Sequence, residues 1–162
     1  MKKKIVILGS TGSIGKKTLS IFSKKISNFR FELLTTNKNV NLLKEQIKKF
    51  NVKNVIVTDK NQFSKIKKEL HNKNVNVFND FSQFNKIFKN KVDYTMSSIT
   101  GLSGLEPTLN IIKFTKKIAI ANKESIICAW NLIFKELKKN KTEFIPVDSE
   151  HFSTWQLLKQ EN

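Results

Sequence analysis

The feature that most restricts the fold is the run Gly9-Ser10-Thr11-Gly12-Ser13-Ile14-Gly15. It follows Lys4-Ile5-Val6-Ile7-Leu8, which reads as a buried strand, and it opens a segment from Ser13 to Lys25 that reads as a helix. Strand, glycine turn and helix in that order are the context in which a glycine motif has a mechanism. Glycine allows the sharp turn and leaves no Cβ in the way of an approaching phosphate. The helix start then offers unpaired N–H groups and a partial positive charge to an anion. Ser10 to Ile14 are therefore expected to hold the pyrophosphate of a dinucleotide. The spacing is G-x-x-G-x-x-G rather than the commoner G-x-G-x-x-G, so the run taken alone also fits an ordinary tight turn.

The rest of the chain repeats the same alternation. Strand-like runs are read at 4–8, 31–36, 54–58, 75–78, 94–98, 117–121 and 143–147. Helical segments are read at 13–25, 41–50, 61–71, 80–89, 104–114, 124–139 and 150–160. Leu42, Leu43, Ile47 and Phe50 recur at helical spacing, as do Ile127, Trp130, Leu132, Ile133 and Leu137. Alternating elements of this kind predict an α/β fold: a doubly wound, mostly parallel sheet, Rossmann-like, with helices on both faces. The stretches that follow strands then share one sheet edge, where such folds bind ligands. The 162 residues suffice for one domain, read as 1–145, with 146–162 starting another.

Composition narrows the setting. One cysteine, Cys128, excludes an internal disulfide and fits a reducing compartment. It falls within the apolar face of a helical segment, so it is expected in the core. The start, Met1-Lys2-Lys3-Lys4, runs straight into the first strand, and five apolar residues are too few for a signal or a membrane span. A cytoplasmic protein without membrane contact is expected. The net charge of +17 raises a nucleic-acid partner. The lysines, however, lie in nearly every helix, and the aromatics, mostly Phe, do not interleave with Arg. A solvated lysine coat that also attracts a phosphorylated small molecule is the preferred reading.

Three later stretches carry chemistry. The second strand ends Thr35-Thr36-Asn37-Lys38-Asn39, without the carboxylate that would grip an NAD ribose, and Lys38 suits the extra phosphate of NADP. Lys38 is also one surface lysine among many. Ala121-Asn122-Lys123-Glu124-Ser125 follows a strand and starts a helix; local rules favour Asn122 as its N-cap, while Lys123 could meet a substrate anion or carbonyl. In Pro146-Val147-Asp148-Ser149-Glu150-His151, Asp148 and Glu150 project to the same side of an extended chain. As hard oxygen donors they suit Mg²⁺ or Mn²⁺, and they equally suit an N-cap and first helical turn.

Taken together, GSTGSIG at 9–15, Lys38-Asn39-Val40, GLSGLEPT at 101–108, ANKES at 121–125 and PVDSEH at 146–151 resemble the N-terminal portion of 1-deoxy-D-xylulose 5-phosphate reductoisomerase, in order and spacing. The resemblance implies NADPH and a divalent metal, Mg²⁺ or Mn²⁺. It implies rearrangement of 1-deoxy-D-xylulose 5-phosphate and reduction of the resulting aldehyde to 2-C-methyl-D-erythritol 4-phosphate, for isoprenoid synthesis. It assigns Thr11, Gly12, Ser13 and Ile14 to the cofactor pyrophosphate, within a cofactor-binding turn that also includes Gly9 and Ser10, and places Asn37, Lys38 and Asn39 near the adenosine phosphate. Asn122 and Glu124 would touch the cofactor. Lys123 and Ser149 would touch the substrate, Asp148 and Glu150 would bind metal, and Lys123, Ser149 and Glu150 become the catalytic candidates. Asn37 departs from the family, which often has glycine there. Family members are also far longer, so a further metal-binding glutamate and the substrate-phosphate site are expected elsewhere, and a homodimer or a complementary C-terminal piece is the expected protein partner. The competing readings are a non-catalytic NADPH-binding remnant, a basic nucleic-acid-binding module, and another dehydrogenase with a similar glycine turn.

Overall fold

In the computed structural model, which describes residues 1–147, seven strands form one sheet and every pairing in it is parallel. The strands are β1 (Lys3–Leu8), β2 (Phe29–Thr36), β3 (Asn54–Val57), β4 (Asn76–Phe78), β5 (Tyr94–Ser97), β6 (Lys117–Ile120) and β7 (Glu143–Pro146). Their order across the sheet is β4-β3-β2-β1-β5-β6-β7. The chain first builds outward from β1 and then restarts on its other side at β5. That reversal makes β1/β5 the switch point at which a doubly wound sheet opens a crevice.

Each face of the sheet has its own core. Ile5, Ile7, Leu34, Val55 and Val57 pack beneath α1 (Ser13–Ser23), α2 (Val40–Phe50) and α3 (Lys60–Leu70), with Leu19, Leu43, Ile47 and Ile66. Val6, Leu8, Ile56, Ile118 and Ile120 pack on the opposite face under α5 (Leu105–Ile112) and α6 (Lys123–Asn140), with Ile111, Ile112, Ile133 and Leu137. Burial on both faces is why β1 reads as a continuous apolar run instead of an alternating one. A register shift between Ile5 and Val6 skips Glu32, so Phe31 and Leu33 belong to opposite cores although they lie two positions apart.

Two expectations need correction. Residues 80–89 do not form a full helix: a 3₁₀ turn at Phe81–Gln83 leads into α4, the single turn Phe84–Ile87. Asp80 accepts from the Ser82 amide at 2.8 Å and starts that tight turn. The buried rings of Phe84 and Phe88 then anchor the segment from a short span. The second correction concerns α6. Ala129 has non-helical angles, φ −141° and ψ 27°, which break the helix and rotate its apolar stripe. Ile133 and Leu137 are buried as expected, but Ile127, Trp130 and Leu132 are exposed, and so is Cys128. Cys128 is not a core residue. The segment expected as a helix at 150–160 lies outside the described residues.

Candidate functional site

The glycine turn is built from the strand outward. Gly9 has φ +80°, and a Cβ on it would come within 2.9 Å of the Ser98 carbonyl oxygen. Only glycine satisfies both demands. The Gly9 amide donates to the Thr35 hydroxyl at 2.8 Å, and the Ser10 amide donates to the Thr35 carbonyl at 2.9 Å. The Gly12 amide donates back to the Gly9 carbonyl at 3.1 Å and closes the turn. A Cβ on Gly15 would stand 2.2 Å from the Gly9 carbonyl oxygen, so this glycine lets α1 seat directly on the loop. Ser98, after β5, ties the two central strands together at their ends through its amide and hydroxyl, 3.0 and 2.7 Å from the Leu8 carbonyl.

Gly12 differs from the other two. Its φ is −73°, and a Cβ there would meet one atom, the Gly9 carbonyl oxygen at 3.4 Å. Packing against the protein alone therefore asks little for glycine here. Gly12 is the N-cap of α1, so no side chain of the cap residue bonds the helix start, and no acidic residue occupies its first turn. Among the described residues, the N–H groups of Thr11, Ser13 and Ile14 find no acceptor. They stand at the positive end of the helix dipole, beside an open space that a side chain at position 12 would enter.

That space is a cleft of about 660 Å³ at the β1/β5 switch point. One wall is Gly9, Thr11, Gly12, Ser13 and Ile14; the second is Thr35, Thr36, Asn37 and Thr58; the third is Phe81, Ser98, Ile99, Thr100, Ser103, Glu106 and Pro107. The polar groups are mostly neutral hydroxyls and amides, and Glu106 is the one carboxylate on the described walls. The cleft can accept an elongated anionic ligand crossing the strand ends, with its charge over α1.

The candidates from the sequence fall into distinct groups. Gly9, Thr11, Gly12, Ser13, Ile14 and Asn37 line the cleft together. Ser10 does not: its side chain is fully buried behind the loop, with its hydroxyl 2.7 Å from Gln46 Oε1. Asn37 donates to the Thr58 hydroxyl at 2.8 Å. Asn39 caps α2, accepting from the Leu42 amide at 3.2 Å. Lys38 is exposed between them. Asn122 caps α6 as local rules favoured, accepting from the Ser125 amide at 2.8 Å, and its Nδ2 donates to the carbonyls of Ile99 and Gly101, the latter at 2.7 Å. Because Asn122 is buried and fully bonded, it ties the start of α6 to the loop that walls the cleft. Lys123 and Glu124 are exposed on the first turn beside it. Asp148, Ser149 and Glu150 lie outside the described residues. No cluster of three His, Cys, Asp or Glu side chains is present among the described residues, nor any helix long and apolar enough to cross a membrane.

Sequence reasoning missed Thr58, Glu106 and Gln46. Thr58 and Glu106 sit just after β3 and at the start of α5, so the strand-end rule could have found them. Gln46 has no local signal at all.

Residues 5–130 match the family described as 1-deoxy-D-xylulose 5-phosphate reductoisomerase. The reductoisomerase of Pelagibacter ubique is 63% identical over 158 residues, which is 96% of this chain and 41% of that protein. The solved reductoisomerase from Zymomonas mobilis in complex with NADPH superposes with a TM-score of 0.85 at 32% identity, covering 93% of this chain and 40% of the other. Another reductoisomerase structure, in complex with NADPH, fosmidomycin and magnesium, superposes with a TM-score of 0.84 at 28% identity over 92% of this chain and 37% of the other. The chain thus spans about two fifths of the length of these relatives.

Proposed function

The chain belongs to the 1-deoxy-D-xylulose 5-phosphate reductoisomerase family, and on that premise we propose that it forms the NADPH-holding part of such an enzyme. The observation that carries this reading is the uncapped start of α1, with free amides facing a cleft that a side chain at Gly12 would intrude upon. The pyrophosphate lies over Thr11 to Ile14. The adenosine half extends toward Asn37, Lys38 and Asn39, where no carboxylate on the β2 end repels the extra phosphate of NADPH. The nicotinamide half crosses toward Ser98–Thr100 and the start of α6, near Asn122 and Glu124.

In the whole enzyme the substrate is 1-deoxy-D-xylulose 5-phosphate and the product 2-C-methyl-D-erythritol 4-phosphate, an isoprenoid precursor. NADPH supplies the hydride that reduces the rearranged aldehyde. Lys123, exposed on the first turn of α6, offers an ammonium to the substrate. Asp148 and Glu150 supply hard oxygens to Mg²⁺ or Mn²⁺, and Ser149 binds substrate beside them. The task of the cleft residues is to bind the cofactor and aim it.

The test is a fluorescence titration of the purified chain with NADPH, with NADH as control. Saturable binding of NADPH, weaker for NADH and blunted in Gly12→Val, is expected. Equal indifference to both cofactors overturns the reading.

A further inference from the structure

Gln46 is buried on the inward face of α2, where its neighbours in the core are Val40, Leu43, Ile47 and Phe50. A polar amide in that position is costly unless it is bonded. Among the described residues it is bonded to one only, across a sequence separation of 36. Its Oε1 accepts from the Ser10 hydroxyl at 2.7 Å, and its Nε2 donates to the Ser10 carbonyl oxygen at 3.0 Å. Ser10 is held on its other side by Thr35, whose carbonyl accepts from the Ser10 amide at 2.9 Å.

The consequence lies in the next peptide unit. In a trans peptide the C=O and the following N–H point in opposite directions. Anchoring the Ser10 carbonyl toward α2 therefore turns the Thr11 N–H away from α2, on the side where Thr11 and Gly12 line the cleft. No acceptor among the described residues takes that N–H. We propose that Gln46 is a positioning residue for the anion site: by gripping the Ser10–Thr11 peptide from behind, it aims the Thr11 amide at the pyrophosphate of the bound dinucleotide. This rests on the NADPH reading above. The Ser10 hydroxyl, by contrast, serves the Gln46 side chain and does not reach the ligand.

The experiment uses the full chain and the variants Gln46→Met, Gln46→Glu and Ser10→Ala, titrated with NADPH and with adenosine 2′-monophosphate, which has no pyrophosphate. Methionine keeps the length and volume of glutamine but cannot donate. Gln46→Met is expected to weaken NADPH about tenfold, the scale of one lost buried hydrogen bond, to leave adenosine 2′-monophosphate within about twofold, and to move the Thr11 amide resonance in NMR spectra. Ser10→Ala, which keeps the grip on the carbonyl, retains most of the NADPH affinity. Gln46→Glu can donate to the Ser10 carbonyl only when protonated, so its NADPH affinity recovers as pH falls while that of the parent does not. Native NADPH affinity in a folded Gln46→Met chain overturns the proposal. If that variant does not fold, a Gln46→Glu pH profile parallel to the parent's overturns it. A parent chain that binds neither ligand removes the NADPH reading itself, whereas a parent that binds NADPH with variants that bind it equally removes only the role of Gln46.

Discussion

Gly9 and Gly12 answer to different demands, and substitution separates them. Gly9→Ala places a side chain at φ +80° and 2.9 Å from the Ser98 carbonyl oxygen. Loss of about 1–3 kcal/mol of stability is expected from backbone strain of this kind, read as a lowered thermal midpoint. Gly12→Ala has φ −73° and one neighbour at 3.4 Å, so the fold tolerates it. Its expected penalty appears in NADPH affinity, because the methyl group occupies the approach to the free amides. A Gly12→Ala chain with unchanged affinity and a lowered midpoint would reverse the two assignments. Tyr94, the only tyrosine in the chain, gives a second handle at this scale. It lies against the ring of Phe22, and burial pushes its phenol up to about 12. The folded state therefore keeps the proton that the unfolded state releases near about 10. The stability contributed is whole below the unfolded value and is lost as pH rises from there toward about 12. Phenolate absorbance should appear only in that upper range, together with alkaline unfolding; a phenolate that forms reversibly at the ordinary tyrosine value in folded protein would contradict the burial.

At the scale of elements, α6 divides into a buried stripe and an open one. Ile133 is fully buried under β6, whereas Ile127 is 80% exposed. Ile133→Ala should cost about 2–5 kcal/mol as a cavity in a close-packed core, and Ile127→Ala should stay within about 0.5 kcal/mol. Urea unfolding of the two variants measures the difference directly. Comparable losses would mean that the break at Ala129 does not persist in solution. The pairing of β1 with β5 has its own pin. Asp93, just before β5, accepts from the Lys4 amide at 2.8 Å and from Lys116 Nζ at 2.8 Å, while its own amide donates to the Lys4 carbonyl at 3.0 Å. The Lys116 bond first, and then the Lys4 amide, hold its carboxyl below the ordinary value. The ionised form is thus favoured by the fold, and its contribution is present above the ordinary carboxylate range and lost as pH falls through the lowered value. Asp93→Asn should therefore be less stable than the parent at neutral pH and approach it in acid. Parallel curves across that range would remove the pin.

At the scale of the molecule, the net charge of +17 acts on every ligand through the same field. If the lysines form a general coat, added salt should weaken NADPH binding gradually, because the anchoring amides are fixed dipoles in a cleft. Binding of a mixed-sequence DNA duplex would instead collapse steeply with salt, since it would depend on neutralising many phosphates at once. A competition titration at two salt concentrations distinguishes them: NADPH that is displaced by duplex DNA, or that loses all affinity when salt is raised, would favour the nucleic-acid reading.

Local chemistry alone determined much of this protein. The apolar run at Lys4–Leu8, the glycines after it and the alternation of periods specified seven strands, most of the helices and the sheet edge at which the cleft opens, because each depends on neighbours within a turn or a strand. The cap at Asn122 was legible for the same reason, whereas the cap at Asn39 was not read from the sequence. The tertiary structure alone decided what depends on contact between distant segments. Gln46 reads as one more polar residue of a lysine-rich helix until packing places it behind Ser10. Ala129 reads as a good helix former, yet the chain breaks there, and the stripe holding Ile127 and Cys128 turns outward. Residues 80–89 shrink to one turn because two buried rings, Phe84 and Phe88, suffice to hold the segment. Periodicity reports which residues could share a face; only the packed sheet decides which face is covered, and by what.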